Sequence, residues 1–242
     1  MNFSHPIYFL CVILGVTLAL AFPATRHLAR SERRQYYTLQ FIMLIGAVLG
    51  AKLSVLFGDF GWPVLPLQDW KTVLWSGRSI TGALLLGFLF AEVAKPFLKY
   101  EQPPNDRFAA VLPFSIALGR VGCLMEGCCA GVPYEGICAY HGLDGTLRFP
   151  SQALEIAFQL TIGLSFLFMA KRKILHGHLF ALYLGFYGLF RFSTEFMRDT
   201  PKAFAGWSGY QWLSLIMIAL GTGFFLKRYL ARPTSWDESI SV

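Results

Sequence analysis

The chain has 242 residues, 55% of them hydrophobic and 14% charged. Soluble domains carry about 25% charged residues, so the composition excludes an ordinary soluble domain and fits a polytopic membrane protein. The net charge is +7, yet no basic face or recognition motif stands apart from the apolar runs, which argues against a nucleic-acid partner.

Seven apolar runs follow one another, at about 6–25, 38–57, 79–98, 108–125, 152–170, 178–197 and 210–230, each near the ~20 residues that cross hydrocarbon as a helix. The expected fold is all-α: seven transmembrane helices in a single polytopic domain over 1–242. The first run does not read as a cleavable signal, because its positive charges follow the apolar segment. Sorting the 21 Lys and Arg places thirteen on one side, including Arg26, Arg30, Arg33, Arg34, Lys171, Arg172 and Lys173. Five fall on the other side, and Lys52, Arg120 and Arg191 lie inside the runs. This asymmetry predicts an outside N-terminus, a cytoplasmic C-terminus, and outward loops at about 58–78, 126–151 and 198–209.

In chain order, His5 and Cys11 in the first run read as an interfacial group and a small hydrophobe. Gly46 and Gly50 in the second form a small-xxx-small pattern that permits close helix packing. Lys52, just beyond, either snorkels to an interface or faces the same cavity as Arg120. Trp62, Trp70 and Trp75 in the loop 58–78 fit an outer aromatic belt. Glu92 and Lys95 read as a helix-surface pair near the cytoplasmic end.

The fourth run ends in Gly119-Arg120-Val121-Gly122-Cys123, an arginine at membrane depth followed by glycines and cysteines. An ionised group there costs at least ~2.5 kcal/mol on insertion scales and persists where it has a partner and a polar cavity. Arg191 repeats the pattern in the sixth run. Two membrane arginines suggest an anion, and a lipid phosphate is the common one. Glu155, one turn into the fifth run after Pro150, is the best carboxylate to compensate them. Tyr187, Arg191 and Glu195 share one helical stripe, which is either a self-satisfied ion pair or the wall of a headgroup pocket. Gln211 opens the seventh run near the same level.

Cys123, Cys128, Cys129 and Cys138 have the spacing C-x4-C-C-x8-C, with His141 nearby. Three readings compete: zinc or another metal is one, although structural zinc normally uses C-x2-C or a close variant, and no metal is assigned. An oxidising exterior allows a disulfide, and a cluster of free thiols is the alternative. The Cys123–Cys138 region is expected at the outer mouth of the cavity that the arginines approach.

The ordered set Gly50-Ala51-Lys52, Ser79-Ile80-Thr81-Gly82, Gly119-Arg120-Val121-Gly122, Arg148-Phe149-Pro150-Ser151-Gln152 with Glu155, Tyr187-Gly188-Leu189-Phe190-Arg191 with Glu195, and Gln211 resembles the bacterial prolipoprotein diacylglyceryl transferase family. The resemblance implies seven helices in the bacterial cytoplasmic (inner) membrane and a site toward the outer leaflet. It also implies transfer of the diacylglyceryl group of phosphatidylglycerol to the lipobox cysteine of prolipoproteins, without a cofactor. Arg120, Arg191 and Tyr187 would be catalytic; Lys52, Thr81, Gly122, Glu155, Glu195 and Gln211 would bind substrate. Three positions depart from the family pattern. Thr81 stands where the family has histidine, Lys52 where arginine is usual, and the cysteine cluster replaces an asparagine-glycine-acid segment. These departures leave a related transferase with another acceptor, or a non-catalytic lipid-binding or transport protein, as the alternatives.

Overall fold

The computed structural model describes residues 6–21, 30–58, 79–100, 106–142, 144–202 and 205–230. His5, Arg26, Trp62, Trp70 and Trp75 lie outside the described residues. Seven α-helices are present among them: α1 (Pro6–Ala21), α2 (Arg30–Gly58), α3 (Ile80–Phe97), α4 (Asp106–Met125), α5 (Ser151–Lys171), α6 (Leu179–Thr194) and α7 (Gly209–Leu230). A two-stranded ladder, β1 (Tyr140–His141) with β2 (Leu147–Arg148), adds a small antiparallel hairpin that the all-helical expectation did not contain.

The helix α2 differs from expectation at its start. It begins at Arg30, so Arg33 and Arg34 lie on the helix and not in a connector. Glu32 stands in the first turn, where the positive end of the helix dipole favours an anion. Among the described residues, five helical stretches are long and apolar enough to cross a membrane: Glu32–Gly58, Ile80–Phe97, Asp106–Met125, Ser151–Lys171 and Gly209–Leu230. The other two helices, α1 and α6, have 16 residues each, roughly 24 Å of rise. A 3-10 turn at Glu195–Met197 extends α6. Apolar side chains that the bundle leaves exposed, among them Leu160, Leu164, Phe168, Phe186, Leu189 and Ile216, are what a hydrocarbon environment accepts and water does not.

The helices pack mainly in pairs, α2 with α3, α4 with α5 and with α1, and α6 with α7. The core between them is built on Leu84, Phe88, Phe108, Phe180, Tyr183, Tyr187 and Met217. At the end expected to face the cytoplasm, the buried Asp106 carboxylate accepts hydrogen bonds from the backbone N–H groups of Gly177 and Phe180. It thereby satisfies donors at the start of α6 that no helical carbonyl reaches. Nearby, Glu92 pairs with Lys95 on its own helix and with Arg228 of α7 at 2.6 Å, a partner that the helix-surface reading missed.

The small-xxx-small pattern of α2 finds its partner in α3. A Cβ on Gly50 would lie 2.1 Å from the Gly82 carbonyl oxygen, and one on Gly82 would lie 2.2 Å from the Gly50 oxygen. The Ser79 N–H donates to the Ala51 carbonyl at 3.1 Å, tying the entry of α3 to α2. Gly82→Ala is therefore expected to destabilise the protein by ~1–3 kcal/mol, because the backbones must separate. Gly223→Ala, where nothing lies within 4 Å, serves as the control. Thermal unfolding in detergent checks both; equal melting temperatures would show that the crossing is not tight.

Candidate active site

Thr81 at the start of α3, Arg120 at the end of α4, Glu155 in the second turn of α5 and Arg191 near the end of α6 meet at the bundle end opposite Asp106. Arg120 and Arg191 are 7% and 4% exposed, and Glu155 is 1% exposed. Charges so far from water persist only when paired. The Glu155 carboxylate supplies the pairing: Oε2 lies 2.9 Å from Arg120 Nε and 3.6 Å from Arg191 Nη1. Its Oε1 accepts the Tyr187 hydroxyl at 2.8 Å. One carboxylate thus fixes two guanidinium groups from different helices and is itself fixed by a phenol.

A second carboxylate orders the other side. Glu195 Oε2 accepts from Arg191 Nη2 at 2.8 Å and lies 3.5 Å from Arg198 Nε. Its Oε1 accepts from the Thr200 hydroxyl at 2.7 Å and the Ser208 hydroxyl at 3.3 Å. Gln211 Oε1 in turn accepts the Ser208 backbone N–H at 2.9 Å, so Gln211 acts on the arginines only through Ser208 and Glu195. The 3-10 turn explains the inward direction of Glu195: tightening the end of α6 carries this residue to 0% exposure.

These arginines stand at one end of a cavity of about 820 Å³. Arg120, Arg191, Arg198, Thr81, Cys123 and Thr200 belong to its polar end, while Leu84, Phe88, Phe108, Leu112, Ile116 and Phe180 line its apolar length. The Nε atoms of Arg120, Arg191 and Arg198 are buried without a well-aimed hydrogen-bond acceptor; the Arg120–Glu155 contact is close in distance but not in direction. Buried donors left unmet call for a partner, and these three share one polar end. Glu155, Glu195, Tyr187, Gly122, Lys52 and Gln211 do not line the cavity. Glu155 and Glu195 hold the arginines from behind, and Tyr187 holds Glu155. Gly122 is buried in α4, and Lys52 is half-buried on α2.

All five cysteines are free. Cys123, Cys128 and Cys129 converge, with their sulfurs all within 4.8 Å of one another. Cys138, the fourth cysteine of the expected set, is exposed and lies outside this group. All three clustered residues line the cavity. Hydrogen bonds with the Cys123 and Cys128 thiols push the Cys129 thiol well down from its ordinary range. The loop beyond is braced by Arg148, which donates to Asp144 Oδ2 at 2.6 Å and to the Gly131 carbonyl at 3.1 Å. Hydrogen bonds from Arg148 and Thr146 hold the Asp144 carboxyl below the usual carboxylate range.

Arg198, Thr200 and Ser208 were invisible to motif reasoning. Arg198 reads as one more loop charge, although its spacing of i+3 from Glu195 is the signal that could have found it. The backbone bond from Val132 N–H to the Met197 carbonyl at 3.0 Å places Arg198 against the cysteine loop.

The family model for prolipoprotein diacylglyceryl transferase matches residues 2–227. Among curated relatives, the phosphatidylglycerol–prolipoprotein diacylglyceryl transferase of Bordetella parapertussis is 31% identical over 249 residues, covering 94% of this chain and 92% of the relative. The enzyme of the same name from Nitrosomonas europaea is 30% identical, covering 93% and 87%. That from Dehalococcoides mccartyi is 36% identical over 119 residues, 46% of each chain.

Proposed function

The chain belongs to the prolipoprotein diacylglyceryl transferase family, and from that premise we propose that it transfers the diacylglyceryl group of phosphatidylglycerol to prolipoproteins. The observation that carries the mechanism is the set of three arginines with unmet donors closing the polar end of an otherwise apolar cavity. A diacylglycerophosphate has the same polarity order: an anionic head on an apolar body. The phosphate sits against Arg120, Arg191 and Arg198, and acyl chain runs along Leu84, Phe88, Phe108, Leu112 and Phe180.

The lipobox thiolate attacks the glycerol carbon that bears the phosphate oxygen. The new C–S bond forms as the C–O bond breaks, and the electron pair leaves on the phosphate as glycerol phosphate. Negative charge grows on the departing oxygens, where preorganised guanidinium groups in a water-poor site stabilise it most. Glu155 and Glu195 keep those groups aimed, and Tyr187 orients Glu155; Thr81 is a wall residue without the acid–base range of an imidazole. A purified preparation incubated with phosphatidylglycerol and a lipobox peptide is expected to yield a peptide heavier by one diacylglyceryl group, read by mass spectrometry. An unmodified peptide together with consumed lipid would assign the protein another acceptor.

All seven helices are read as spans of a bacterial inner membrane, with the N-terminus outside and the arginine cluster toward the outer leaflet. The charge asymmetry supports this reading, as does the placement of Lys171, Arg172 and Lys173 at the end of α5 away from the arginines. An export-dependent reporter fused after Val242 is expected to stay silent, and the same reporter within 130–140 to be active. The reverse pattern would invert the topology.

A further inference from the structure

We propose that Cys123, Cys128 and Cys129 form a three-thiolate site for a thiophilic d10 cation of the Zn(II) class, with a fourth position turned to the cavity where the acceptor thiol binds. The last clause rests on the transfer reading above; the metal site does not. Bonds of ~2.3 Å to one zinc place the sulfurs roughly 3.8 Å apart. Sulfurs already within 4.8 Å of one another reach that spacing by small side-chain rotations.

The backbone preorganises this convergence. Helix α4 ends in a Schellman turn: Gly127 has φ 63°, its N–H donates to Leu124 at 3.2 Å, and the Cys128 N–H donates to Cys123 at 3.1 Å. That 6→1 bond sets the first and second cysteines side by side. Cys129 then takes the left-handed conformation at φ 62°, which a residue with a Cβ adopts only when its surroundings impose it. The surroundings are Ser151, whose hydroxyl donates to the Cys129 carbonyl at 2.9 Å, and Gln152, whose amide donates to the Cys128 carbonyl at 2.8 Å. The spacing C-x4-C-C differs from the usual zinc spacing because the helix terminus, and not a knuckle, folds it.

Three sulfurs converge where a disulfide would use two. Arg120, one turn before Cys123 on α4, lies on the same cavity wall and offsets the net negative charge of three thiolates around a divalent ion. Cys138, in the same loop, is exposed and outside the cluster, so the convergence does not follow from cysteine content alone.

The site also answers a chemical need. Transfer requires a thiolate, and no histidine lines the cavity among the described residues. The carboxylates that line it are Glu126 and Asp199. A thiol that joins such an ion is deprotonated outright. Its proton passes to water, its sulfur attacks the glycerol carbon, and the C–O pair leaves with the phosphate. The thioether product, a weaker ligand than a thiolate, then departs.

The test uses reduced, metal-stripped full-length protein in detergent, with Cd(II) as the spectroscopic probe. One Cd(II) per chain is expected, with sulfur-to-metal charge-transfer absorbance and three thiols protected from alkylation. Cys138→Ser binds equally. Cys129→Ser loses more than about a hundredfold in affinity, since even outer partners of a metal site are worth 10–100-fold; its helical circular dichroism verifies folding. A peptide bearing the acceptor cysteine raises the absorbance by about a third, as a fourth sulfur ligand should, and its serine version does not. Absence of Cd(II) binding, or binding undiminished in Cys129→Ser, overturns the site. A silent peptide response, or full transfer by metal-free protein, overturns its role. Intact metal and peptide signals without any transfer would instead overturn the transferase reading and leave the site standing.

Discussion

Arg191→Lys is expected to abolish transfer nearly as fully as Arg191→Ala. Arg191 divides its donors between two carboxylates, Glu155 at 3.6 Å and Glu195 at 2.8 Å, while its Nε stays unmatched beside the cavity. A planar guanidinium can hold both carboxylates and still meet a phosphate; an ammonium, with one nitrogen on a flexible stem, cannot satisfy that geometry. Loss of one preorganised donor costs ~3 kcal/mol of barrier, a factor of ~10²–10³ in rate. Thr81→Ala removes only a hydroxyl from the wall and is expected to cost far less. Initial rates of peptide modification decide the matter. Substantial activity in Arg191→Lys together with a dead Thr81→Ala would move the chemistry to the α2–α3 crossing.

The second large effect is at Glu155. Glu155→Gln keeps the shape but leaves Arg120 and Arg191 facing each other across a neutral amide. Removing one partner of a buried ion pair costs ~3–5 kcal/mol, so the variant is expected to melt well below wild type and to lose transfer. Glu155→Asp retains the charge at a shorter reach and should recover stability before activity. Tyr187→Phe, which deletes one 2.8 Å hydrogen bond to Glu155, is the milder comparison, at roughly 1.5–3 kcal/mol for a bond to a charged group. A Glu155→Gln protein as stable and active as wild type would show that the two arginines do not depend on it.

Much of this arrangement can be read from residue placement. The apolar runs mark the helices because hydrocarbon demands continuous length, and Arg120, Arg191 and Glu155 stand out because charge inside such a run is costly. The Gly50–Gly82 crossing follows from small residues spaced along a helix face, although the pattern alone does not name α3 as the partner. Other features depend on chain geometry that composition does not encode. The extension of α2 back to Arg30 hides in a polar stretch, because a helix continues past its apolar part at no cost in water. The inward turn of Glu195 needs the 3-10 tightening of α6, and Arg198 gains its place through a backbone bond between two loops. The resemblance gives Tyr187 a catalytic and Gln211 a substrate-binding role; that Tyr187 bonds Glu155, and Gln211 the Ser208 that bonds Glu195, is not in the pattern, since periodicity gives a helix face but not the depth of a side chain. The cysteine spacing suggests a disulfide or a thiol cluster without choosing between them, because it is a Schellman turn that makes positions 123 and 128 neighbours.

The central claim is that the phosphate is the leaving group, held by the arginines while carbon passes to sulfur. Phosphatidylglycerol labelled at phosphorus tests it most directly, incubated with purified protein and the lipobox peptide. All label from converted lipid should appear in water-soluble glycerol phosphate, with the peptide gaining mass but no phosphorus. Label on the peptide, or peptide modification without release of glycerol phosphate, would contradict the account.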